Sequence, residues 1–349
     1  MASDPSAEPA GGAAVAHAGA SGSGIDSRGG LIHGSVTDGC CSGSIGHAAT
    51  GAGAEATRKR GTFFGKLGMI GDAVIIRHTL FSLPYAIVAI LLASGGRPHP
   101  LDVVMILVAA ASARNAANAL NRIIDARIDA ANPRTAGRHL PDGRLAPRDL
   151  WLFTALMLAM LVSSTAMLNW LCVALLPVAG VLIGGYSFTK RFTWLCHYWL
   201  GVACAAAPMG AFLAISGRFE LAYFPLTIAV ALWVAGFDIL YAMQDIDFDR
   251  TNGLHSVPAR FGKSGARVMA ALSHTGTLAG LAIMPLFWPQ LGVVWLVGVA
   301  AAAALLVAEH IVALGGTERH VRIASYSINE VLPLFVLAAT VVDIYPTVP

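Results

Sequence analysis

Two polar segments of the sequence carry residue types that could bind a charged substrate. They cover residues 114–129 and 238–249, and each continues an apolar stretch and ends in two aspartates four positions apart. A charged side chain at the bilayer centre costs roughly 2.5–3.5 kcal/mol on insertion scales, so acidic residues beside apolar spans indicate function. Carboxylates that lie close together repel one another unless a cation separates them. The two acidic pairs therefore predict a divalent-metal site assembled between helices.

Helical spacing gathers the polar residues of each segment onto one face. Residues three or four positions apart are neighbours on a helix. The residues that follow this spacing are Arg114, Asn118, Asn121, Asp125 and Asp129 in the first segment, and Asp238, Tyr241, Asp245 and Asp249 in the second. Such a stripe would be costly against lipid, so we expect both stripes to face the bundle interior or a wet cavity. The repetition hints at two related halves of the chain.

Oxygen donors at these positions favour magnesium. Mg²⁺ binds proteins through one or two carboxylates together with substrate phosphates. Asn121, one turn before Asp125, would add a neutral oxygen. Asp247 lies off the second stripe, so we rank it below Asp245 and Asp249 as a metal ligand. In the alternative interpretation the acids only form ion pairs at the membrane surface, with Arg127, Arg134 and Arg250.

Basic residues follow the acidic segments and could bind phosphate. Arg134 and Arg138 come after the first pair, and Lys190 and Arg191 end a segment that begins at Tyr186. Guanidinium groups match phosphate oxygens as forks, and a lysine adds a point charge. Acids, bases and metal together predict a site for a diphosphate. The alternative is that basic residues only set the membrane topology, which we favour for Arg144, Arg148, Arg319 and Arg322.

The composition is that of an integral membrane protein. Of the 349 residues, 56% are hydrophobic and 12% are charged, against about 25% charged in soluble domains. A net charge of +3 gives no indication of a nucleic-acid partner. The five cysteines lack the spacing of zinc sites or disulfide frameworks. We interpret His139, His197 and His255 as hydrogen-bonded polar residues rather than as catalysts.

Apolar runs predict an all-α, polytopic membrane protein in a lipid bilayer. A helix that spans the bilayer needs about 20 mostly apolar residues. Nine such transmembrane helices are predicted, at residues 75–94, 101–124, 150–168, 170–187, 197–216, 222–244, 268–287, 290–314 and 327–345. Residues 1–62 are rich in Gly, Ala and Ser, and we expect them to form a disordered tail. The membrane domain then covers residues 63–349.

The charges of the predicted loops indicate how the chain is oriented. Cytoplasmic loops collect Lys and Arg. These residues concentrate before the first predicted helix and after the second, fourth, sixth and eighth, whereas the opposite loops hold only Arg97 and Arg218. We therefore expect a cytoplasmic N-terminus, both acidic pairs on the cytoplasmic side, and the C-terminus outside.

Three motifs resemble those of a known family. Residues 121–138 resemble the first signature of UbiA-type intramembrane prenyltransferases, and residues 238–262 resemble the second. Residues 186–191 resemble a third, shorter motif. The similarity extends from about residue 70 to the end of the chain.

The resemblance implies both an architecture and a reaction. The architecture is a set of nine helices around a central cavity that opens toward the cytoplasm and laterally to lipid. The reaction is Mg²⁺-dependent transfer of a polyprenyl group from polyprenyl diphosphate to an aromatic acceptor. One metal ion would be held by Asn121, Asp125 and Asp129, and the other by Asp245 and Asp249. The diphosphate would be approached by Arg134, Tyr186, Lys190 and Tyr241. Arg114 would bind the acidic group of the acceptor, and Asp238 would orient or activate the acceptor.

The chain departs from the family pattern at Arg122, where many members have an aspartate. The Asn-Arg start and the Asn-Pro-Arg-Thr run resemble a bacterial subgroup described as 4-hydroxybenzoate polyprenyltransferases, some of which serve a menaquinone route. The resemblance is therefore compatible with two acceptors. One is 4-hydroxybenzoate, in ubiquinone biosynthesis, and the other is a futalosine-derived aromatic compound, in menaquinone biosynthesis. It also implies location in the bacterial inner (plasma) membrane.

Two other function classes also place acids in membrane helices. An ion-coupled transporter would need the acids but not the basic segments beside both acidic pairs. A CDP-alcohol phosphotransferase would need an acid-rich Asp-Gly…Ala-Arg run within one segment, which this sequence lacks. The sequence therefore favours prenyl transfer over both alternatives.

Overall fold

The structure is a computed structural model that describes residues 63–74, 79–315, 317, 320 and 323–345. Every secondary-structure element within these residues is helical, so the all-α prediction is confirmed for this part of the chain. The predicted disordered tail, residues 1–62, lies outside the described residues.

Thirteen α-helices follow one another in the described chain. They are α1 (Phe63–Ala73), α2 (Thr79–Ala93), α3 (Pro100–Ile124), α4 (Ala126–Ala131), α5 (Pro147–Ala166), α6 (Trp170–Ala174), α7 (Leu176–Thr189), α8 (Cys196–Ser216), α9 (Phe224–Ala242), α10 (Ile246–Thr251), α11 (Val257–Ala282), α12 (Val293–Leu314) and α13 (Asn329–Ile344). Short 3₁₀ turns cover Leu221–Tyr223, Met243–Asp245 and Met284–Leu286, and a π-helical turn covers Ile323–Ile328.

Six of the nine predicted spans are long and apolar enough to cross a membrane within the described residues. These are Pro100–Ile124, Pro147–Ala166, Cys196–Ser216, Leu221–Thr251, Val257–Leu286 and Val293–Leu314. The other three predicted segments contain the shorter helices α2, α7 and α13, so the count of nine is not confirmed. The segment 170–187 is divided between α6 and α7 because Pro177 cannot donate a backbone hydrogen bond to the preceding turn.

The helices pack in a closed series around a shared core. α8 contacts α2, α3, α6, α7 and α9, and α3 also contacts α2, α5 and α7. From α9 the series continues through α11, α12 and α13, and α13 packs back against α2. The largest fully buried side chains of the core include Trp233, Trp295, Tyr85 and Phe212. Packing against five neighbouring helices therefore fixes α8 in the bundle.

Both acidic segments break their helix at the first aspartate. Asp125 (φ −92°, ψ 4°) separates α3 from α4, and Asp245 (φ −103°, ψ 8°) separates a 3₁₀ turn from α10. These angles lie in the bridge region, which active-site residues often occupy. The prediction of one continuous helical stripe is therefore wrong at these two residues. The shared break supports the hint of two related halves.

A second buried polar cluster joins α9, α11, α12 and α13, and contains none of the predicted site residues. Asn329 Nδ2 donates to Glu309 Oε1 at 3.0 Å, and Trp233 Nε1 donates to Asn329 Oδ1 at 2.6 Å. His274 Nδ1 lies 3.1 Å from His310 Nε2. Hydrogen bonds between membrane helices satisfy polar groups that lipid cannot. The cluster therefore fixes the two C-terminal helices against the core.

Candidate active site

Asp125 receives hydrogen bonds and ion pairs from two separate parts of the chain. Its carboxylate is almost completely buried, and Asn121 Nδ2 donates to its Oδ2 at 2.8 Å. Lys190 Nζ lies 2.9 Å from the same oxygen, and Arg191 Nη2 lies 3.1 Å from Oδ1. Asn121 Nδ2 also reaches Ser187 Oγ at 3.3 Å. The first and third sequence motifs therefore meet at Asp125.

Asp129 is held by two arginines of its own motif. Arg138 Nη1 donates to both carboxylate oxygens at 2.7 Å, and Arg122 Nη1 lies 3.8 Å from Oδ2. Thr135 Oγ1 donates to the Asp129 backbone oxygen at 2.9 Å and shapes the loop that carries Arg138. Arg122, the departure from the family pattern, thus faces an acid of the site rather than lipid.

The loop after the first acidic pair contacts the second motif directly. Arg134 Nε donates to Asp245 Oδ1 at 2.9 Å, and Arg134 Nη2 donates to Oδ2 of the same carboxylate. Asn132 Nδ2 donates to Asp245 Oδ1 at 3.0 Å. Arg134 Nη1 also donates to Tyr241 Oη at 2.8 Å. This contact brings the two acidic motifs, which are distant in sequence, to one end of the helix bundle.

The electrostatics of Arg134 follow from these contacts. Burial by itself lowers the pKa of its guanidinium, but the hydrogen bonds to Asp245 and the proximity of Tyr241 outweigh burial and raise the pKa above its ordinary value. A two-bond fork between arginine and carboxylate is stronger and more directional than a single bond. Arg134 is therefore a fixed cation between the two motifs.

Asp249 connects the second motif to the start of α11. Ser256 Oγ donates to Asp249 Oδ2 at 2.8 Å and also caps α11 by accepting from the Ala259 backbone nitrogen at 3.2 Å. The neighbouring His255 backbone nitrogen donates to the Lys190 carbonyl at 2.7 Å. The loop between α10 and α11 thereby holds Asp249 and the lysine segment together.

The basic residues neutralise the carboxylates of the site. Within the described part of the chain, no three His, Cys, Asp or Glu side chains are grouped so that they could hold a metal ion by themselves. The pairing of Asp245 with Arg134 agrees with the alternative of simple ion pairs for that residue, whereas Arg250 Nε donates to the Ala259 carbonyl instead. Because Mg²⁺ uses only one or two protein carboxylates beside substrate phosphates, it does not require a larger cluster.

An apolar cavity of about 540 Å³ lies among α3, α5, α7, α8 and α9. Alanines supply much of its wall, and its few polar lining groups include Arg114, Asn118 and Tyr186. Arg114 Nη1 donates to Cys204 Sγ at 2.6 Å. Asn118 Nδ2 donates to the Val74 carbonyl at 2.8 Å and so also anchors the end of α1. Such a cavity can hold an apolar chain with a few polar groups to orient it.

Asp238 pairs with His197, a contact that the sequence motifs did not indicate. Its Oδ2 lies 2.7 Å from Nδ1 of His197 on α8, and the His197 side chain is only 4% exposed. The interpretation of His197 as a hydrogen-bonded polar residue is confirmed, but its partner is a predicted site residue. Helical spacing could not reveal this pair, because the two residues lie on different helices.

Comparisons with known proteins point to one family. The UbiA prenyltransferase family model matches residues 82–328. The 4-hydroxybenzoate octaprenyltransferase of Aeromonas salmonicida (strain A449) is 30% identical over 251 residues, which cover 72% of this chain and 85% of that protein. The apo structure of a UbiA homolog from Aeropyrum pernix K1 has a TM-score of 0.70 and 33% identity, covering 77% of this chain and 98% of that chain.

A more distant structure shares the fold. The UbiA homolog from Archaeoglobus fulgidus bound to DMAPP and Mg²⁺ has a TM-score of 0.57 at 17% identity, covering 78% of this chain and 98% of that chain. The family match covers well over half of the sequence, and the described helices are apolar enough to cross a membrane. The chain therefore belongs to the UbiA prenyltransferase family and is an integral membrane prenyltransferase.

Proposed function

We propose that this enzyme transfers a polyprenyl group from polyprenyl diphosphate to an aromatic acceptor. The observation that carries the proposal is the contact of Asn132 and Arg134 with Asp245, because it brings both acidic motifs together. The basic residues that meet the first motif add a charge pattern suited to a diphosphate. Family membership favours this reaction over ion transport and over CDP-alcohol phosphotransfer.

We further propose 4-hydroxybenzoate as the acceptor, in the ubiquinone route, with a futalosine-derived aromatic compound in menaquinone biosynthesis as the alternative. The relative from Aeromonas salmonicida, a 4-hydroxybenzoate octaprenyltransferase, supports the first acceptor. Arg114 lines the cavity, and its guanidinium could form a bidentate pair with the acceptor carboxylate. A futalosine-derived acceptor would need space for a larger substituent at the same place.

The donor atoms of the site fit magnesium. Carboxylate and amide oxygens are the ligands that Mg²⁺ prefers. We propose that Asn121, Asp125 and Asp129 hold one ion and that Asp245 and Asp249 hold another. A bound Mg²⁺ would supply Lewis-acid stabilisation of the negative charge that develops on the departing diphosphate. The homologue of the same fold that binds Mg²⁺ and DMAPP supports this choice of metal.

The chain's own residues would perform the remaining tasks. The prenyl tail would lie in the apolar cavity, and Arg134, Arg138, Lys190 and Arg191 would bind the diphosphate together with Tyr186 and Tyr241. As the carbon–oxygen bond breaks, these groups would stabilise the leaving diphosphate. The allylic cation would then attack the electron-rich ring, and Asp238 would remove the ring proton. Exclusion of water by the cavity wall would protect the cation from hydrolysis.

The same proposal includes an orientation in the membrane. The distribution of Lys and Arg supports a cytoplasmic N-terminus and a site that opens toward the cytoplasm of a bacterium, in its inner membrane. The diphosphate is a water-soluble headgroup and the tail is a lipid-soluble chain, so a site at the end of membrane helices would serve both parts. Labelling of single cysteines in intact cells would test the orientation.

Purified protein tests the reaction directly. We expect a prenylated 4-hydroxybenzoate, identified by mass spectrometry, when polyprenyl diphosphate and Mg²⁺ are supplied, and no product after chelation of the metal. Asp125→Asn should lower turnover by about 10²-fold or more, since it removes a charge from the reacting site. Asp102→Asn, at the other end of the same helix, is the matched control and should stay active. Full activity of Asp125→Asn, or product without divalent metal, would contradict the proposal.

A further inference from the structure

We propose that His197 is a positioning residue for removal of the ring proton, because it holds one oxygen of the Asp238 carboxylate and leaves the other oxygen to receive the proton. This inference rests on the proposed function, in which Asp238 receives that proton. His197 was not among the residues that sequence motifs or family resemblance pointed to. Its assignment comes from the contacts that α8 makes with α9.

The first observation is the geometry of the pair. His197 Nδ1 and Asp238 Oδ2 are 2.7 Å apart, which is short for a nitrogen–oxygen hydrogen bond and typical of a charged partner. The Asp238 side chain is 23% exposed while the His197 side chain is 4% exposed. The histidine therefore forms the buried side of the pair, and the carboxylate forms the accessible side.

The second observation is the position of the accessible side. Asp238 is close enough to Tyr186 and to Cys204 to interact with both electrostatically, and both residues line the apolar cavity. Cys204 is also the residue to which Arg114 donates a hydrogen bond. Asp238 therefore lies near two residues of the cavity in which we place the acceptor ring.

The third observation is the packing that brings the pair together. A Cβ at Gly201 would overlap the carbonyl oxygen of Ala231, so α8 and α9 approach each other at backbone distance. His197 lies one turn before Gly201, and Asp238 lies two turns after Ala231. Because glycine permits this approach, the two side chains can meet without a gap. The pair is therefore built by the closest contact between these two helices.

The chemistry of the pair assigns a direction to the hydrogen bond. An ionised carboxylate only accepts hydrogen bonds, so Nδ1 of His197 carries the proton. The other ring nitrogen, Nε2, is buried and has no hydrogen-bond partner among the described residues. The Cys196 thiol lies near the ring but contacts the His255 carbonyl at 3.5 Å. A carboxylate and an imidazole that orient one another are a common arrangement at catalytic centres.

The pair would assist removal of the ring proton during prenyl transfer. The prenyl carbon forms a bond to a ring carbon, and the carbon–oxygen bond to diphosphate breaks with its electron pair leaving on oxygen. The electrons of the ring C–H bond restore aromaticity, and the proton passes to the free oxygen of Asp238. His197 keeps its own proton throughout and fixes the other oxygen. No oxidant or further reactant is required.

Three substitutions of His197 separate positioning from packing. Asn places its amide nitrogen near the position of Nδ1, whereas Gln places its amide nitrogen near the position of Nε2, and Leu offers no donor. We expect His197→Leu to lower kcat by about 10²-fold, within the range found for general acid–base groups. His197→Asn should restore much of this loss and His197→Gln should not. The KM for the prenyl diphosphate should stay near its wild-type value in all three variants.

A deuterium isotope effect provides a readout that loss of packing would not produce. The acceptor is 4-hydroxybenzoate carrying deuterium at the two ring carbons next to the hydroxyl-bearing carbon. We expect little isotope effect on kcat in the wild type, and a clear primary effect in His197→Leu, because proton removal then becomes the slow step. Thermal unfolding in detergent shows whether each variant is folded.

The outcomes distinguish this inference from the proposed function. If wild-type protein forms no prenylated 4-hydroxybenzoate, the acceptor assignment fails. If the wild type is active but folded His197→Leu matches it, the inference about His197 is wrong. The same conclusion follows if Asn and Gln variants lose activity equally and no isotope effect emerges, since His197 would then serve packing alone.

Discussion

Arg134 illustrates, at the scale of single residues, how the site uses basic side chains. Its guanidinium binds both oxygens of Asp245 and the hydroxyl of Tyr241, although Asp245 is 111 positions away in sequence. A guanidinium that is already oriented by a carboxylate can also present its remaining hydrogen-bond donors to a phosphate. The residue therefore has a role in assembling the site as well as a proposed role in binding substrate.

Replacement of Arg134 tests both roles. Arg134→Ala leaves a charged carboxylate without its main partner, and we expect kcat/KM for the prenyl diphosphate to fall by about 10²-fold or more. Arg134→Lys keeps the charge but loses the fork, so its activity should be intermediate. The measurement is turnover per folded enzyme in detergent.

The matched control for this prediction is Arg144→Ala. Arg144 lies in the same loop region, but it is more exposed and pairs with Asp142 rather than with a site residue. If Arg144 only sets the membrane topology, Arg144→Ala should have activity close to that of the wild type. Equal losses in both variants would show that general basicity of the loop matters rather than the fork at Asp245.

The sequence predicted single residues well where one helix carries the chemistry. Spacing of three and four positions placed Asn121 and Asp125 side by side, and the structure has them hydrogen-bonded. It could not predict the contact between Arg134 and Asp245 or the pair of His197 and Asp238, because these depend on how separate helices pack. Periodicity reports which residues share a face and carries no information about which faces meet.

Breaks in the helices are the main feature at the scale of elements. Hydropathy predicted that the apolar spans end at residues 124 and 244, and helical spacing predicted that each polar stripe continues through its acidic pair. The chain instead leaves helical geometry at Asp125 and at Asp245. Irregular backbone at membrane depth is tolerated where it lines a cavity or is buried in protein. Because of these breaks, separate short helices carry Asp129 and Asp249. Hydropathy indicated where the apolar runs end, but it carries no information about backbone angles and so could not reveal the short helices that follow.

Close packing of α8 against α9 leads to a prediction about glycine. Replacing an interior helical glycine by alanine ordinarily favours the helix by up to about 1 kcal/mol. At Gly201 the new methyl group would overlap the Ala231 carbonyl, and overpacking costs about 1–3 kcal/mol. We expect Gly201→Ala to lower the Tm in detergent and to reduce activity by separating His197 from Asp238.

Gly184→Ala in α7 is the matched control for Gly201→Ala. Apart from its chain neighbours and the nearby backbone of its own helix, no atom lies within 4 Å of the position that a Cβ at Gly184 would occupy. This variant should be as stable as the wild type or slightly more stable, because only the helix propensity changes. A Gly201→Ala protein with unchanged Tm and unchanged activity would show that α8 and α9 can separate without loss, which would weaken the argument for the His197 pair.

At the scale of the whole molecule, the charged end of the bundle and the apolar cavity come close to each other at Tyr186. This residue lines the cavity and also lies within electrostatic range of Asp125. Composition predicted a membrane protein, and the family resemblance implied a cavity. Neither the composition nor the resemblance could identify the side chains that form the cavity wall, because lipid-facing and cavity-facing apolar residues look alike in sequence.

The cavity wall predicts how the enzyme would distinguish prenyl chains of different length. Ala113 of α3 lines the cavity, and a phenylalanine there would occupy space that a long tail needs more than a short one. Loss of apolar contact in a pocket changes kcat/KM by about 10- to 200-fold per group. We expect Ala113→Phe to reduce kcat/KM for octaprenyl diphosphate at least about 10-fold more than for geranyl diphosphate. The ratio of the two kcat/KM values does not depend on how much of the variant is folded.

Ala155→Phe on the exposed side of α5 is the control, because it adds the same ring outside the cavity and should leave the ratio unchanged. An equal effect of Ala113→Phe on both substrates would place the tail elsewhere, because a ring in the path of the long chain must affect that chain more.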